Sequence, residues 1–126
     1  MKTRKRIVLI SAELSTLTGP ENEQRTSNLK TLLNNKNYKF NAVMGSYKGS
    51  IEHSFIVDAS EDIVGNLKAL ASYFKQESIL VVDEMNKAAL HYFNGKVDQL
   101  GEMIQVNSIS GLDSWTLVNQ LFYTVK

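Results

Sequence analysis

The sequence predicts an α+β domain in which two helices pack on one face of an antiparallel sheet. Two apolar runs, residues 7–10 and residues 79–82, are typical of buried strands. Between them lie two segments with helical spacing of apolar residues and one stretch in which the apolar period changes to two. All 126 residues are interpreted as one domain, because no Pro/Gly/Ser-rich linker divides them.

Capping signals predict where both helices begin. Thr18 is a typical N-cap, with Pro20 near the helix start and Glu21 in the first turn. Asparagines at positions 34, 35 and 37 then end this helix. Ser60 is the predicted cap of the second helix. The two apolar stripes comprise Leu29, Leu32 and Leu33 in the first helix and Ile63, Leu67, Leu70, Ala71 and Phe74 in the second.

Between the helices, residues 38–44 and 51–57 alternate between apolar and polar side chains, which predicts a β-hairpin with Tyr47 at its tip. The predicted order over residues 7–82 is therefore strand, helix, strand, strand, helix, strand, which is typical of the ferredoxin-like fold. Such a fold leaves one apolar sheet face bare, so we expect a homo-oligomer that covers it.

The C-terminal part of the chain, residues 87–126, is predicted to be mostly extended and to add strands to this sheet. Asn94-Gly95 is a strong signal for a two-residue hairpin turn, and Asn119-Gln120 separates two further apolar runs. Three aromatic residues in this region offer either a contact surface for a partner protein or, more simply, core and interface packing: Trp115, Phe122 and Tyr123.

Composition excludes several classes of function. The chain has no cysteine, which excludes disulfide scaffolds, thiolate catalysis and cysteine-ligated zinc. Its net charge of +1 lacks the basic excess typical of nucleic-acid binding. No apolar run approaches the ~20 residues of a membrane span, and no signal peptide is recognisable, so a cytoplasmic protein is expected. His53 and His91 lie in separate predicted strands, which favours ordinary strand residues over a metal site.

The segment of residues 45–55 is the least ordinary part of the sequence. Two glycines flank a predicted hairpin tip that presents Tyr47, and Glu52 follows on the strand face opposite Ile51 and Phe55. If those apolar residues face the helices, Glu52 faces the oligomer interface. On pattern alone, a tip aromatic and a solvent-facing strand acid are the simpler interpretation of this pair.

This segment and its neighbours resemble the phage-encoded S-adenosylmethionine (SAM) lyases, long described as SAM hydrolases. The similarity spans roughly residues 7–96 and depends on the order and spacing of several pieces. They are residues 8–12, Asn22 with Arg25, residues 45–47, residues 52–57, residues 76–81 and residues 89–95.

The resemblance implies a trimeric, PII-like αβ sandwich with active sites between subunits. It implies cleavage of SAM to methylthioadenosine and homoserine lactone without metal or cofactor, as a phage counter-restriction activity. By position the catalytic residues are Tyr47 and Glu52, although the loop between them is shorter than in the family. Substrate contacts fall on Ser11 and on the segment comprising Glu84, Met85 and Asn86.

A second hypothesis assumes the same fold and cleft but no catalytic activity. A non-enzymatic PII-like module would bind or sequester an adenine nucleotide. A product assay with SAM discriminates between the two, because only the lyase releases methylthioadenosine.

Overall fold

The computed structural model describes residues 6–47 and 50–126, with Tyr47 described by its backbone alone. These residues form eight strands and two helices. In chain order they are β1 (Arg6–Ile10), α1 (Gly19–Asn35), β2 (Phe40–Tyr47), β3 (Ser50–Ala59), α2 (Glu61–Tyr73), β4 (Ser78–Val82), β5 (Lys87–Tyr92), β6 (Val97–Val106), β7 (Ser114–Val118) and β8 (Leu121–Val125).

The strands form a closed antiparallel barrel in the order β1-β3-β2-β7-β8-β6-β5-β4. The predicted ferredoxin-like, PII-like sandwich is therefore wrong, although the predicted succession of elements from β1 to β4 is found. The error lies in the C-terminal strands, which were treated as additions to an open sheet. Strand β7 pairs with one edge strand, β2, and β5 pairs with the other, β4, so the sheet has no edge left open.

Closure explains why the first and fourth strands are continuously apolar. In β1, Val8 and Ile10 pack against the helices, whereas Ile7 and Leu9 pack inside the barrel. Strand β4 alternates in the same way. Each strand is thus buried on both faces, which removes the polar alternation of a half-exposed strand.

The barrel interior is filled by side chains, as expected for eight strands. Its buried members are Ile7, Val43, Ile56, Val82, Ala88, Met103 and Tyr123. These residues cover the sheet face that was expected to be bare, and several of them come from the C-terminal strands. The inference of a homo-oligomer from a bare apolar face therefore loses its basis.

Both helices lie on the outside of the barrel against β1, β3 and β4. The predicted cap of α1 is confirmed as a capping box, since the Glu21 N–H donates to Thr18 Oγ1 and the Thr18 N–H donates to Glu21 Oε1. Helix α1 ends at Asn35, just before Asn37 with its positive φ of 58°. Among the described residues, neither helix is long and apolar enough to cross a membrane.

Both C-terminal hairpins form at the turn residues that predict them. Asn119 and Gln120 both have positive φ, which is typical of the type I′ turn that joins adjacent strands. The Asn94-Gly95 hairpin is also present, but its connection is the longer segment of residues 93–96. Of the three C-terminal aromatic residues, Tyr123 is buried inside the barrel, and the half-buried rings of Trp115 and Phe122 pack edge to face, 5.5 Å apart.

Gly101 in β6 provides a test of barrel closure. Its φ is +122°, and a Cβ at this position would overlap the main-chain oxygen of Lys126. We expect Gly101→Ala to lower the free energy of unfolding by about 1–3 kcal/mol, measured by urea denaturation. Gly65→Ala is the control, because Gly65 lies within α2 with open space around it, and alanine there should stabilise by about 0.5–1 kcal/mol. If Gly101→Ala and Gly65→Ala changed the free energy of unfolding equally, the close approach of Gly101 to the Lys126 main chain would not limit stability.

Candidate active site

The candidate site begins where a short strand lies beside a long one. Strand β1 has five residues and its partner β3 has ten, so the first half of β3 extends past the end of β1. Two side chains continue the pairing there. Ser11 Oγ donates to the main-chain oxygen of His53 (3.0 Å), and the main-chain N–H of His53 donates to Glu13 Oε1 (2.7 Å). Ser11 and Glu13 thus replace the missing strand as hydrogen-bond partners.

Side chains from α1 hold the loop that carries these residues. Arg25 Nε donates to the main-chain oxygen of Ala12 (2.7 Å), and its guanidinium also bonds the main-chain oxygen of Phe74. Asn22 accepts from the Leu14 N–H and donates to the Leu14 oxygen, both at 2.9 Å. The helix start included in the family resemblance therefore has a local role, because it fixes the loop that follows β1.

Glu52 lies on the face of β3 that lines the barrel. Across the strands its neighbour is Gly45, followed by Thr116 and then by the buried Tyr123. Cross-strand partners share a sheet face, so Glu52 lies in the row that leads to the barrel interior. The expectation that it faces an oligomer interface followed from the open sandwich and must be revised. Gly45 has no side chain, and a Cβ at this position would lie 3.2 Å from the main-chain oxygen of Trp115, so the glycine allows close packing of β2 against β7.

The Glu52 carboxyl group is unusual in its electrostatics. Its surroundings of protein atoms raise its pKa, and the negative charge of Glu13 raises the pKa further. A weak hydrogen bond from Ser54 Oγ, at 3.5 Å, acts in the opposite direction. Glu52 nevertheless remains exposed to solvent. An accessible carboxyl group with a raised pKa is a candidate for binding or proton chemistry.

The second predicted catalytic residue, Tyr47, ends β2 opposite Ser50, and its side chain lies outside the described part of the structure. Lys48 and Gly49, at the hairpin tip, also lie outside it. The assignment of Tyr47 therefore stays a prediction.

The predicted substrate-binding residues fall into two separate groups. Ser11 lies beside Glu13 and His53, and hence near Glu52. The segment comprising Glu84, Met85 and Asn86 follows β4 and lies at the other end of β1, where Glu84 Oε1 is 3.6 Å from Arg6 Nε. At about 3.3 Å per strand residue, Arg6 and Ser11 are about 16 Å apart. A single chain does not bring the two groups together.

The two histidines behave differently from each other. The His53 side chain is 63% exposed, and its Nδ1 lies 3.4 Å from Glu13 Oε2. His91 is half-buried, and desolvation together with the charges of Lys68 and Arg6 lowers its pKa. Within residues 6–47 and 50–126, no group of three or more His, Asp or Glu side chains is placed to hold a metal ion.

An open groove of about 410 Å³ lies beside the site. It runs between the end of α2 and the β5–β6 hairpin. Its lining residues are Ser72, Lys75, Gln76, Glu77, Tyr92, Phe93 and Asn94. Gln76 connects the groove to the site, because its Nε2 donates to the main-chain oxygen of Glu13 (2.8 Å).

Glu13 is the residue that the sequence interpretation missed. Its side chain is only 18% exposed, and both of its carboxylate oxygens are directed at His53. Its position in the sequence offered one signal: it is the first charged residue after a buried strand, in a segment without helical or strand periodicity.

Comparison with known families identifies the chain. The model of the S-adenosylmethionine lyase family matches residues 8–126, so the chain belongs to this family. SAM is accordingly its substrate, and degradation of SAM is its general activity. The match includes strands β6 to β8, which the sequence resemblance over residues 7–96 did not reach. Comparison with curated proteins gives no match.

The raised pKa of Glu52 predicts how stability depends on pH. A carboxyl group whose pKa is higher in the folded state stabilises the fold below the unfolded pKa, and this contribution is lost as pH rises through the folded value. Glu52→Gln cannot ionise, so we expect its stability relative to wild type to increase between about pH 4 and pH 8, by less than about 1 kcal/mol. Urea denaturation across this range measures the difference.

The matched control is Glu23→Gln, which removes the same charge from an exposed position on α1. A relative stability of Glu52→Gln that falls with rising pH would contradict the assigned direction of the shift.

Proposed function

We propose that this chain cleaves SAM by an intramolecular lyase reaction that releases methylthioadenosine and homoserine lactone. The observation that carries the proposal is the family match, which includes the β1–α1 loop and the Glu52 strand. These are the two elements that bring a pair of carboxylates and the Ser11 hydroxyl to one end of β1. The site therefore combines an established substrate with acidic groups suited to a cation.

The substrate supplies both reacting groups. In the proposed reaction a carboxylate oxygen of the methionyl part attacks Cγ, and the bond between Cγ and sulfur breaks. The electron pair goes to sulfur, so the sulfonium leaves as a neutral thioether and the carboxylate becomes the lactone ester. The protein needs to supply orientation, which can contribute a large part of the rate enhancement.

In this reaction Glu52 holds the polar groups of the methionyl chain. Its ionised form attracts the α-ammonium of the substrate. Ser11 supplies a hydroxyl next to the same strand. Tyr47, which the family resemblance assigns as the catalytic tyrosine, would close over the bound substrate. Shielding from water would help, because the attack consumes a carboxylate and a sulfonium that water solvates well.

The proposed reaction requires no metal or cofactor. The leaving group is already activated as a sulfonium, so a Lewis acid has no group to polarise. The donor chemistry agrees, since the sequence has no cysteine and only two histidines, which lie on different strands.

We further propose a homotrimer with active sites between subunits. The family resemblance implies the trimer, and the separation of about 16 Å between the two ends of β1 supports a site between subunits. A site that uses Glu52 together with the Glu84 to Asn86 segment has to take them from different chains. Exposed Met85, with 75% of its surface accessible, would then contact substrate bound at the Glu52 end of another subunit.

Sedimentation equilibrium tests the assembly. We expect a species of three times 14.2 kDa at micromolar concentration. A His53→Cys, Met85→Cys double variant adds a test of geometry, because the chain has no other cysteine and the two positions are too far apart to bond within one chain. Disulfide-linked oligomers of this variant on a non-reducing gel would support the arrangement. A stable monomer in sedimentation would contradict it.

Glu52→Gln is the decisive variant for the chemistry. It keeps the shape of the side chain but removes its charge, so turnover should fall about a hundredfold or more, equivalent to about 3 kcal/mol of barrier. Methylthioadenosine is quantified by chromatography in buffer with EDTA, where wild-type turnover should persist. Glu23→Gln is the control and should retain wild-type turnover.

The outcomes of this assay separate the alternatives. Wild-type turnover by Glu52→Gln would show that the residue assignment is wrong while the activity stands. Loss of wild-type activity in EDTA, restored by a divalent ion, would overturn the metal-free reaction. Binding of SAM without any cleavage by the wild type would favour the nucleotide-binding module. Tyr47→Phe should lose less activity than Glu52→Gln if Tyr47 serves mainly as a lid.

The biological use that we infer is counter-restriction by a phage in the host cytoplasm. Degradation of SAM removes the methyl donor of host methyltransferases and the cofactor of SAM-dependent restriction enzymes. The family membership supports the degradation of SAM on which this inference depends.

A further inference from the structure

Glu13 has no role in the reaction described above, yet the structure holds it with unusual completeness. The Glu13 N–H donates to Ser11 Oγ (3.1 Å), and the Glu13 main-chain oxygen accepts from Gln76 (2.8 Å). On either side, Arg25 and Asn22 bind the main chain of the neighbouring residues. The backbone of Glu13 is thus fixed by side chains from three parts of the chain, as expected for a group that must be placed accurately.

The carboxylate of Glu13 is fixed as well. Oε1 accepts from the His53 main-chain N–H at 2.7 Å, a short distance typical of a charge-assisted hydrogen bond. Oε2 lies 3.4 Å from His53 Nδ1. His53 directly follows Glu52 in β3. The hydrogen bond between Glu13 and the His53 N–H therefore helps to fix the position of the Glu52 side chain.

A neutral side chain could also support the strand, with a weaker hydrogen bond. A glutamine at position 13 would accept the same hydrogen bond from His53 and would not repel Glu52. The glutamate instead adds a like charge near Glu52, an unfavourable interaction that raises the pKa of Glu52. A positively charged ligand would relieve the repulsion between this charge and Glu52.

The charged groups around Glu52 make this interpretation specific. Glu13 faces it from the β1–α1 loop, and His53 follows it on its own strand. On the neighbouring strands Gly45 and Thr116 occupy the same row and carry no charge. In this part of the described structure, two carboxylates therefore act together, and a positively charged ligand would relieve their repulsion.

We propose that Glu13 is a positioning and specificity-determining residue of the Glu52 site. Oε1 fixes His53 and thereby Glu52, and the charge of Glu13 selects the cationic substrate over the neutral thioether product. This inference rests on the proposed function, since it assigns Glu13 to the same substrate site. It distinguishes SAM, which carries a sulfonium and an ammonium, from methylthioadenosine, which carries neither.

The test compares Glu13→Gln with Glu23→Gln. Glu13→Gln keeps the acceptor for the His53 N–H and removes the charge, so kcat/KM for SAM should fall about tenfold, the effect of one charge at short range near a protein surface. Inhibition by methylthioadenosine should be unchanged. The acid limb of the kcat/KM profile should move to lower pH, because Glu52 ionises more easily without its neighbour. Glu13→Ala also removes the acceptor and should lower kcat further.

Equal weakening of SAM and methylthioadenosine by Glu13→Gln, or an acid limb that stays at the wild-type position, would overturn the proposal and leave Glu13 a structural residue. If Glu13→Ala fails to fold, Glu13→Gln carries the test alone. If the wild type does not cleave SAM, the proposed function fails separately. Calorimetric affinities for SAM and methylthioadenosine and an NMR titration of the Glu52 carboxyl group then decide the role of Glu13.

Discussion

Burial on both faces of β1, β4 and the second half of β3 is the constraint on which the structure depends. Helices α1 and α2 cover the outer face, and the C-terminal strands cover the inner face by closing the barrel. Neither layer is sufficient alone, because an apolar sheet face left in water would cost about 25 cal/mol for each Å² exposed. The helices and the C-terminal strands are therefore both needed to bury these three strands.

The site follows from a difference in length within this arrangement. Strand β1 ends at Ile10, which pairs with Phe55, so the first residues of β3 extend past the end of β1. Main-chain groups of His53 are therefore left without a partner in β1. Ser11 and Glu13 provide the partners, and this brings a second carboxylate to Glu52. Because the main-chain groups of His53 need hydrogen-bond partners, two carboxylates lie near each other at the end of β1.

The sequence predicts the local elements well because their signals are local. Thr18 and Glu21 mark the start of α1, and Asn119-Gln120 marks the last turn. Barrel closure is not predictable in this way, since the pairing of β7 with β2 joins residues far apart in the chain. Glu52 is assigned through the family resemblance, because the strand pattern alone favours an ordinary solvent-facing acid at this position. Glu13 was missed because its role arises from a contact with His53 across 40 residues.

Closure of the barrel also changes the argument for subunit assembly. In an open sandwich the apolar sheet face would drive association of the subunits. The active site between subunits would then form as a consequence of that association. In the closed barrel that face is filled by Val43, Met103 and other side chains of the same chain. In the proposed trimer, association would then depend on the outer surface, where Phe93 and Met85 are exposed. A site shared between subunits, as proposed above, would in that case be a cause of assembly, because the substrate would bridge the Glu52 end of one chain and the Glu84 end of another.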